Sequence, residues 1–201
     1  MIIKINGQSV TCENTIEKVT DSITEVLNRD NAIAIDYIVD GNSVKEDLSK
    51  YLSERLAEIQ KIEVITQTVK QLIQETINSA YAYLKNAIPQ IRSMASEFAM
   101  EPDGITWQSL NELLEGLNWL IDSMERMNAL KSLELIVTDY QAWNQYAQIT
   151  YNLIPIIKDL DAALRNKNNR KVGRILEKAV VPAFIMMENK LFGLITIAFQ
   201  S

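Results

Sequence analysis

From Thr68 onward, apolar residues return every three or four positions almost without a gap, and that 3.6-residue period predicts long amphipathic helices over two-thirds of the chain. Thr68 with Gln71 reads as a cap. Behind it Val69, Leu72, Ile73, Ile77, Ala80, Leu84, Ile88, Ile91, Met94, Ala95 and Phe98 line one face of a helix about 30 residues long. Pro102 and Gly104 end it. A second helix carries Trp107, Leu110, Leu114, Leu117, Ile121 and Met124, with Leu113, Leu120 and Met127 in a parallel row. The chain turns again near 129–132. A third long helix runs from Leu133 to Leu164, the polar residues Asn166 to Asn169 close it, and a fourth runs from Val172 to Ala198. Short connections between such helices favour antiparallel neighbours, so an up-down four-helix bundle is expected. Pro89, Pro155 and Pro182 fall inside these patterns, where a proline costs about 3 kcal/mol and kinks or splits a helix. Kinks are expected, because the apolar stripe keeps its phase across each proline.

The first 67 residues follow a different rule. Ile3 and Ile5 alternate with Lys4 and Asn6, Gly7 marks a turn, and Ser9 to Cys12 return as a second strand. Asn14 with Glu17 reads as a capping box ahead of Ile16, Val19, Ile23, Val26 and Leu27. In Ala32 to Asp40 the alternation places Ile33, Ile35, Tyr37 and Val39 on one side, and the other side is apolar enough to require an internal or doubly covered strand. Asp40-Gly41 makes a turn, Ser43 with Glu46 reads as a second capping box, and Lys61 to Thr66 is a last strand. The order is β-β-α-β-α-β, with strands joined through a helix expected to be parallel. The fold class is α+β, mainly helical: a small α+β domain over 1–67 and a helical bundle over 68–201.

Function is constrained mainly by what is missing. The sequence has no histidine, which removes histidine general bases, Ser-His-Asp and Cys-His nucleophiles, and the Glu-x-x-His pairs of di-iron bundles. Cys12 stands alone, so no disulfide or thiolate cluster can form within the chain; it reads as a small apolar filler, and a reducing, cytoplasmic setting is expected. The glycines are too dispersed for a phosphate loop or a dinucleotide fingerprint. Asp36, Asp40 and Asp47 share the frame of a calcium loop, but Ile38 stands where a ligand is needed. Glu112, Glu115, Asp122 and Glu125 lie along a helix at spacings that suit a solvated face better than an acid/base pair. No cofactor or metal is expected, and no signal peptide is read at the start.

Charge is unevenly spread. Residues 97–139 hold nine acidic side chains against two basic ones, a net −7, whereas residues 165–178 hold six basic against one acidic, a net +5, in a chain of net charge −6. Arg165, Lys167, Arg170, Lys171 and Arg174 therefore form a candidate partner-binding cluster at one helix connection. No aromatic residue is interleaved with them, so the stacking platform used for single-stranded nucleic acid is lacking. Trp107 and Trp143 fall on core stripes, while Trp119 and Tyr146 lie off the main stripe and are candidate interface anchors. Leu191, Leu194 and Phe199 belong to a C-terminal helix that is apolar nearly all round, which must be covered by its own chain, a second copy or a partner. Its flanks lack the lysine-rich face of a membrane-surface helix, and neither apolar run reaches the roughly 20 residues that span a bilayer.

The stretch Leu153-Ile154-Pro155-Ile156-Ile157-Lys158-Asp159-Leu160, continuing through Ala163-Leu164-Arg165-Asn166-Lys167 to Arg174-Ile175-Leu176-Glu177-Lys178-Ala179-Val180-Val181-Pro182, resembles the C-terminal helix pair of uncharacterised bacterial helical-bundle proteins of unknown function. It departs from them at Asn168-Asn169-Arg170-Lys171, where an acidic residue and apolar residues are common. The resemblance implies a bacterial cytosolic protein and no particular activity. The sequence thus points to a non-enzymatic protein–protein interaction protein, adaptor or export-chaperone-like, that binds a protein partner or a second copy of itself, with no nucleic acid and no membrane. The alternative is a small-ligand-binding regulatory domain with a pocket between kinked helices.

Overall fold

Two dipeptides shape the N-terminal sheet. Asn6-Gly7 and Asp40-Gly41 all take positive φ (50° and 79°, 47° and 89°), the backbone of two-residue type I′ turns whose twist matches that of paired strands. The first joins β1 (Ile2–Ile5) to β2 (Gln8–Thr11), with Ile5 opposite Gln8. The second joins β3 (Ala32–Val39) to β4 (Asn42–Ser43), with Val39 opposite Asn42. Between the hairpins lies α1 (Ile16–Arg29), and after them α2 (Leu48–Arg55) and β5 (Lys61–Thr68). This computed structural model describes residues 1–131 and 133–198, and the chain divides into two units between Leu72 and Ile73.

In the first unit the strand order is β2-β1-β5-β3-β4, with β1 and β5 parallel and every other neighbouring pair antiparallel. Ile3 and Ile5 meet Ile62 and Val64 in register, and their side chains close over Val19, Ile23, Leu48 and Leu52 of the helices. The mixed sheet corrects the expected parallel pairing of strands joined through a helix. The two-residue β4, too short to carry a periodic signal, reverses the chain before α2, so β3 and β5 run antiparallel.

Residue Ile35 supplies a second correction. Ala34 pairs with Thr66 and Asp36 with Ile65, which leaves Ile35 as the extra residue of a bulge. One extra residue flips the facing of everything upstream. Ala34 and Tyr37 both pack on the core, while Ile33 and Ile35 are exposed, so the single face expected for Ile33, Ile35, Tyr37 and Val39 is cut in two.

Both expected capping boxes in this unit move. Thr15 caps α1 by accepting from the Lys18 N–H at 3.3 Å, while the Asn14 side chain donates to the Leu56 carbonyl at 3.4 Å. Asp47 caps α2 by accepting from the Lys50 N–H at 3.0 Å, and Ser43 serves β4, its hydroxyl 3.0 Å from the Asp36 carboxylate. Asp40 accepts from the Lys61 N–H at 2.8 Å. Each acidic residue of the calcium-like frame is thus engaged by strand or helix backbone, or by Ser43.

The second unit begins within α3 (Val69–Ala99), and both this helix and α4 (Gly104–Asn128) are continuous. Thr68 and Gln71 cap α3 reciprocally, as the sequence reads: the Thr68 N–H donates to the Gln71 side chain at 3.0 Å and the Gln71 N–H to the Thr68 hydroxyl at 3.2 Å. Pro89 lies within unbroken α3. The third and fourth runs are interrupted. In place of one helix stand α5 (Leu133–Ile136), α6 (Tyr140–Tyr151, capped by Asp139) and α7 (Leu153–Arg165). In place of the other stand α8 (Asn169–Ile175), a π-helical segment (Leu176–Val180) and α9 (Val181–Ala198). Pro155 occurs in the first turn of α7 and Pro182 in the first turn of α9, just beyond the wider π turn. The proline ring disfavours an unbroken α-helical turn upstream, and the breaks fall there.

The α3–α4 connection is held by Thr106, which is buried to 2% exposure. The Asp103 carboxylate accepts from the Thr106 N–H at 2.8 Å, and the Thr106 hydroxyl lies 2.7 Å from the Glu97 carboxylate and 2.9 Å from that of Asp103. The Thr106 backbone N–H, then its hydroxyl, hold the Asp103 carboxyl below the usual carboxylate range. Because the folded-state value is the lower one, this contribution is present above the unfolded pKa, about 4, and is lost as pH falls through the folded value. Asp103→Asn keeps a good cap but has no proton to take up. The expected result is that the wild-type advantage over this variant, read from urea midpoints between pH 6 and pH 2.5, shrinks towards acid. Parallel curves would contradict the assignment.

Candidate functional site

The second unit carries a groove between the C-terminal half of α3 and the α8–π run, with a volume of about 710 Å³. Helical spacing builds both walls. Arg92 and Ser96, four residues apart, stand on α3; Arg170, Arg174 and Lys178, again four apart, stand opposite with Glu177 beside them. The floor is Ala95, Ala99 and Gly173. Gly173 sets the depth: a Cβ there would lie 2.5 Å from the Ala95 carbonyl oxygen and 3.3 Å from both the Ala99 nitrogen and the Phe98 Cβ. Val172 and Phe98, both at 0% exposure, anchor the two helices beneath.

The groove reverses the sign of its surroundings. Four cations and one carboxylate line it, a local net +3, in a chain of net charge −6. The four cations are exposed, and among the described residues the ion pairs are Arg29–Asp30, Lys50–Glu46, Lys61–Glu63 and Arg165–Asp161, none of which draws on the groove. The cationic heads are therefore available to an anionic ligand. Three are guanidinium forks, which bind carboxylates in bidentate geometry, and one is a lysine ammonium.

Of the basic cluster in the sequence, then, Arg170 and Arg174 line the groove. Arg165 is turned to Asp161 at 2.8 Å, Lys167 stands in the turn after α7 at φ 51°, and Lys171 is exposed outside the groove lining. Arg92 and Ser96 come from a helix 78 positions upstream of Arg170, so linear charge counting missed them. Only the packing of α8 on α3 joins the two sets.

The apolar and aromatic candidates are placed differently. Tyr146 is 2% exposed and packs at 5.3 Å ring-centroid distance from Trp143, so it belongs to the core and not to an interface. Residues 143, 146, 147 and 150 make one inward stripe of α6, which turns this tyrosine inside. Burial pushes its phenol up to about 12, against a smaller opposing effect of the Thr150 hydroxyl. Leu191 and Leu194 are buried by their own chain, and Phe199 lies outside the described residues. Trp107, expected in the core, is half-exposed, although it packs edge-on against Phe98. Trp119 is also half-exposed and meets Tyr83 edge-on. Tyr83 in turn contacts Phe184 and lies against Gly116, and burial pushes its phenol up to about 12.

Glu112, Glu115, Asp122 and Glu125 are exposed along α4, where Gln108 donates to Glu112 at 3.0 Å and Asn111 to Glu115 at 2.9 Å. Among the described residues, no group of three or more carboxylate or thiol side chains could hold a metal ion, and no helix is long and apolar enough to cross a membrane. The space between Met124, Trp143, Tyr146 and Leu191 is about 10 Å³, room for no more than a water molecule.

Comparison with curated proteins and with solved structures gives no match. Residues 75–190 match the family described as a domain of unknown function, DUF8042, and this segment contains every residue that lines the groove. It is more than half of the sequence, and the chain accordingly belongs to the DUF8042 family.

Proposed function

We propose that this chain is a non-enzymatic interaction protein of the bacterial cytoplasm, adaptor or export-chaperone-like, which holds an acidic segment of a protein partner in the groove between α3 and α8. The observation that carries the reading is the row of unpaired cations, Arg92, Arg170, Arg174 and Lys178, around one groove in an otherwise acidic chain. Cations without intramolecular partners attract an acidic surface at range and fix its register on contact. The reading takes the two long helices and the two interrupted runs as an up-down four-helix bundle that presents this groove.

A second reading is favoured by the groove's volume of about 710 Å³, within the rough 300–1,000 Å³ of small-molecule sites: a regulatory domain for a small polyanion. Both are tested by titrating the full chain with fluorescein-labelled oligoglutamate, with citrate as competitor. Saturable binding is expected, weaker by about ten-fold or more between 50 and 300 mM salt, and lost in the double variant Arg170→Glu/Arg174→Glu with its circular dichroism unchanged. No binding at 50 mM salt, or equal binding by the double variant, would overturn the first reading. Citrate displacing the peptide at micromolar concentration would favour the second.

A further inference from the structure

We propose that the segment held in this groove is an extended strand with acidic residues at alternate positions, a deepening that rests on the acidic-partner reading above. The cations stand at a constant interval in sequence. Arg170, Arg174 and Lys178 follow one another at four-residue intervals, as do Arg92 and Ser96 across the groove. Four residues of α-helix advance about 6 Å, and the step from Arg174 to Lys178, which enters the π turn at Leu176, is somewhat shorter. In an extended chain, side chains two apart point the same way and lie roughly 6.6 Å apart. An acid at every second residue therefore meets one cation per step over the two steps from Arg170 to Lys178.

The floor argues for the same occupant. A helix lying in a groove binds by apolar anchors at three- and four-residue spacing, which need apolar pockets to fill. This floor offers only the methyl groups of Ala95 and Ala99 and the bare backbone of Gly173. A strand needs no such pockets when its side chains are taken by cations on the walls, and the Ser96 hydroxyl, which donates to the Arg92 carbonyl at 3.2 Å, keeps its lone pairs to accept from a strand N–H. No aromatic side chain lines the groove, which leaves nothing for nucleobases to stack on. Glu177, between Arg174 and Lys178 in sequence and in the same lining, repels an acid and so favours a neutral or basic residue at an intervening position.

The test uses the full chain and three labelled peptides of equal net charge. One alternates glutamate with glycine, one has the same composition with its glutamates in a single block, and one is an alanine-rich helix with glutamates four residues apart. The alternating peptide is expected to bind at least about five-fold more tightly than either other at 100 mM salt. Arg170→Gln/Arg174→Gln should erase that preference, and Lys178→Gln should reduce it, with circular dichroism reporting that both variants are folded. Equal binding of all three peptides, or tighter binding of the helix, overturns the extended-strand inference while the acidic-partner reading stands. Failure of all three to bind overturns both. Tighter binding of oligothymidylate than of the alternating peptide overturns both as well, in favour of a nucleic-acid ligand.

Discussion

Trp143→Ala is expected to lower the unfolding free energy by about 3–5 kcal/mol, the range for deleting a large aromatic side chain from a core. The indole is 1% exposed, stands beside the Tyr146 ring, and donates its Nε1–H to the Asn128 side chain at 3.0 Å. Most of the loss comes from the cavity, because Asn128 is exposed and its amide recovers a hydrogen bond from water. Trp143→Phe keeps most of the volume and gives up the hydrogen bond, so a loss nearer 1–2 kcal/mol is expected, roughly that of one hydrogen bond plus a small void. Urea unfolding followed at 222 nm checks both. With about 2–4 °C of melting temperature per kcal/mol in a chain of this size, the alanine variant should melt roughly 10 °C lower. A loss below 1 kcal/mol for Trp143→Ala would mean that the ring is not in the core.

Gly173→Ala tests how closely α8 approaches α3. In an exposed helix interior the change would add up to about 1 kcal/mol of stability through helix propensity. Here the new methyl would sit 2.5 Å from the Ala95 carbonyl oxygen, and backbone cannot swing aside as the end of a long side chain can. Overpacking of this kind costs about 1–3 kcal/mol, so the sign reverses and a net loss is expected. Gly193→Ala is the control, since a Cβ there meets nothing within 4 Å and α9 should gain a few tenths to about 1 kcal/mol. The same substitution at Gly173 should also weaken oligoglutamate binding, because it spreads the two walls of the groove. A Gly173→Ala variant as stable as Gly193→Ala would show that the two helices do not meet in this way.

The sequence carried the helical periodicity well, and the reason is length. Over 31 residues of α3 the inward positions Ile73, Ile77, Ala80, Leu84, Ile88 and Ile91 repeat often enough to override any single irregularity, Pro89 included. Features of one or two residues left no such trace. The bulge at Ile35 and the strand Asn42–Ser43 each overturned an expectation drawn from alternation or from helix crossovers, because neither contributes a period. Capping was legible where the candidate pair stood alone, as at Thr68 and Gln71. It slipped where two candidates adjoined, as at Asn14 and Thr15, since side-chain chemistry ranks both as good caps and only the backbone chooses between them. The groove was half legible. Arg170 and Arg174 stand out as a local run of charge, but Arg92 and Ser96 are ordinary surface residues until α3 and α8 pack together.

The π segment also sets which side chains of the last helical run face inward. Val172, Leu176, Val180 and Phe184 are all at 0% exposure and are four residues apart three times over. Twelve residues of α-helix turn about 120° beyond three full turns, so a regular helix could not keep all four inward. The wide turn at Leu176–Val180 absorbs that excess, which means the run holds one residue more than an α-helix on the same path would need. A chain shorter by one residue there would close into ordinary α-helix with Phe184, Met187 and Leu191 facing as before. The core thus runs through the wide turn without a change of face, and Val180 and Phe184 stay inward where a regular helix would have begun to turn them out.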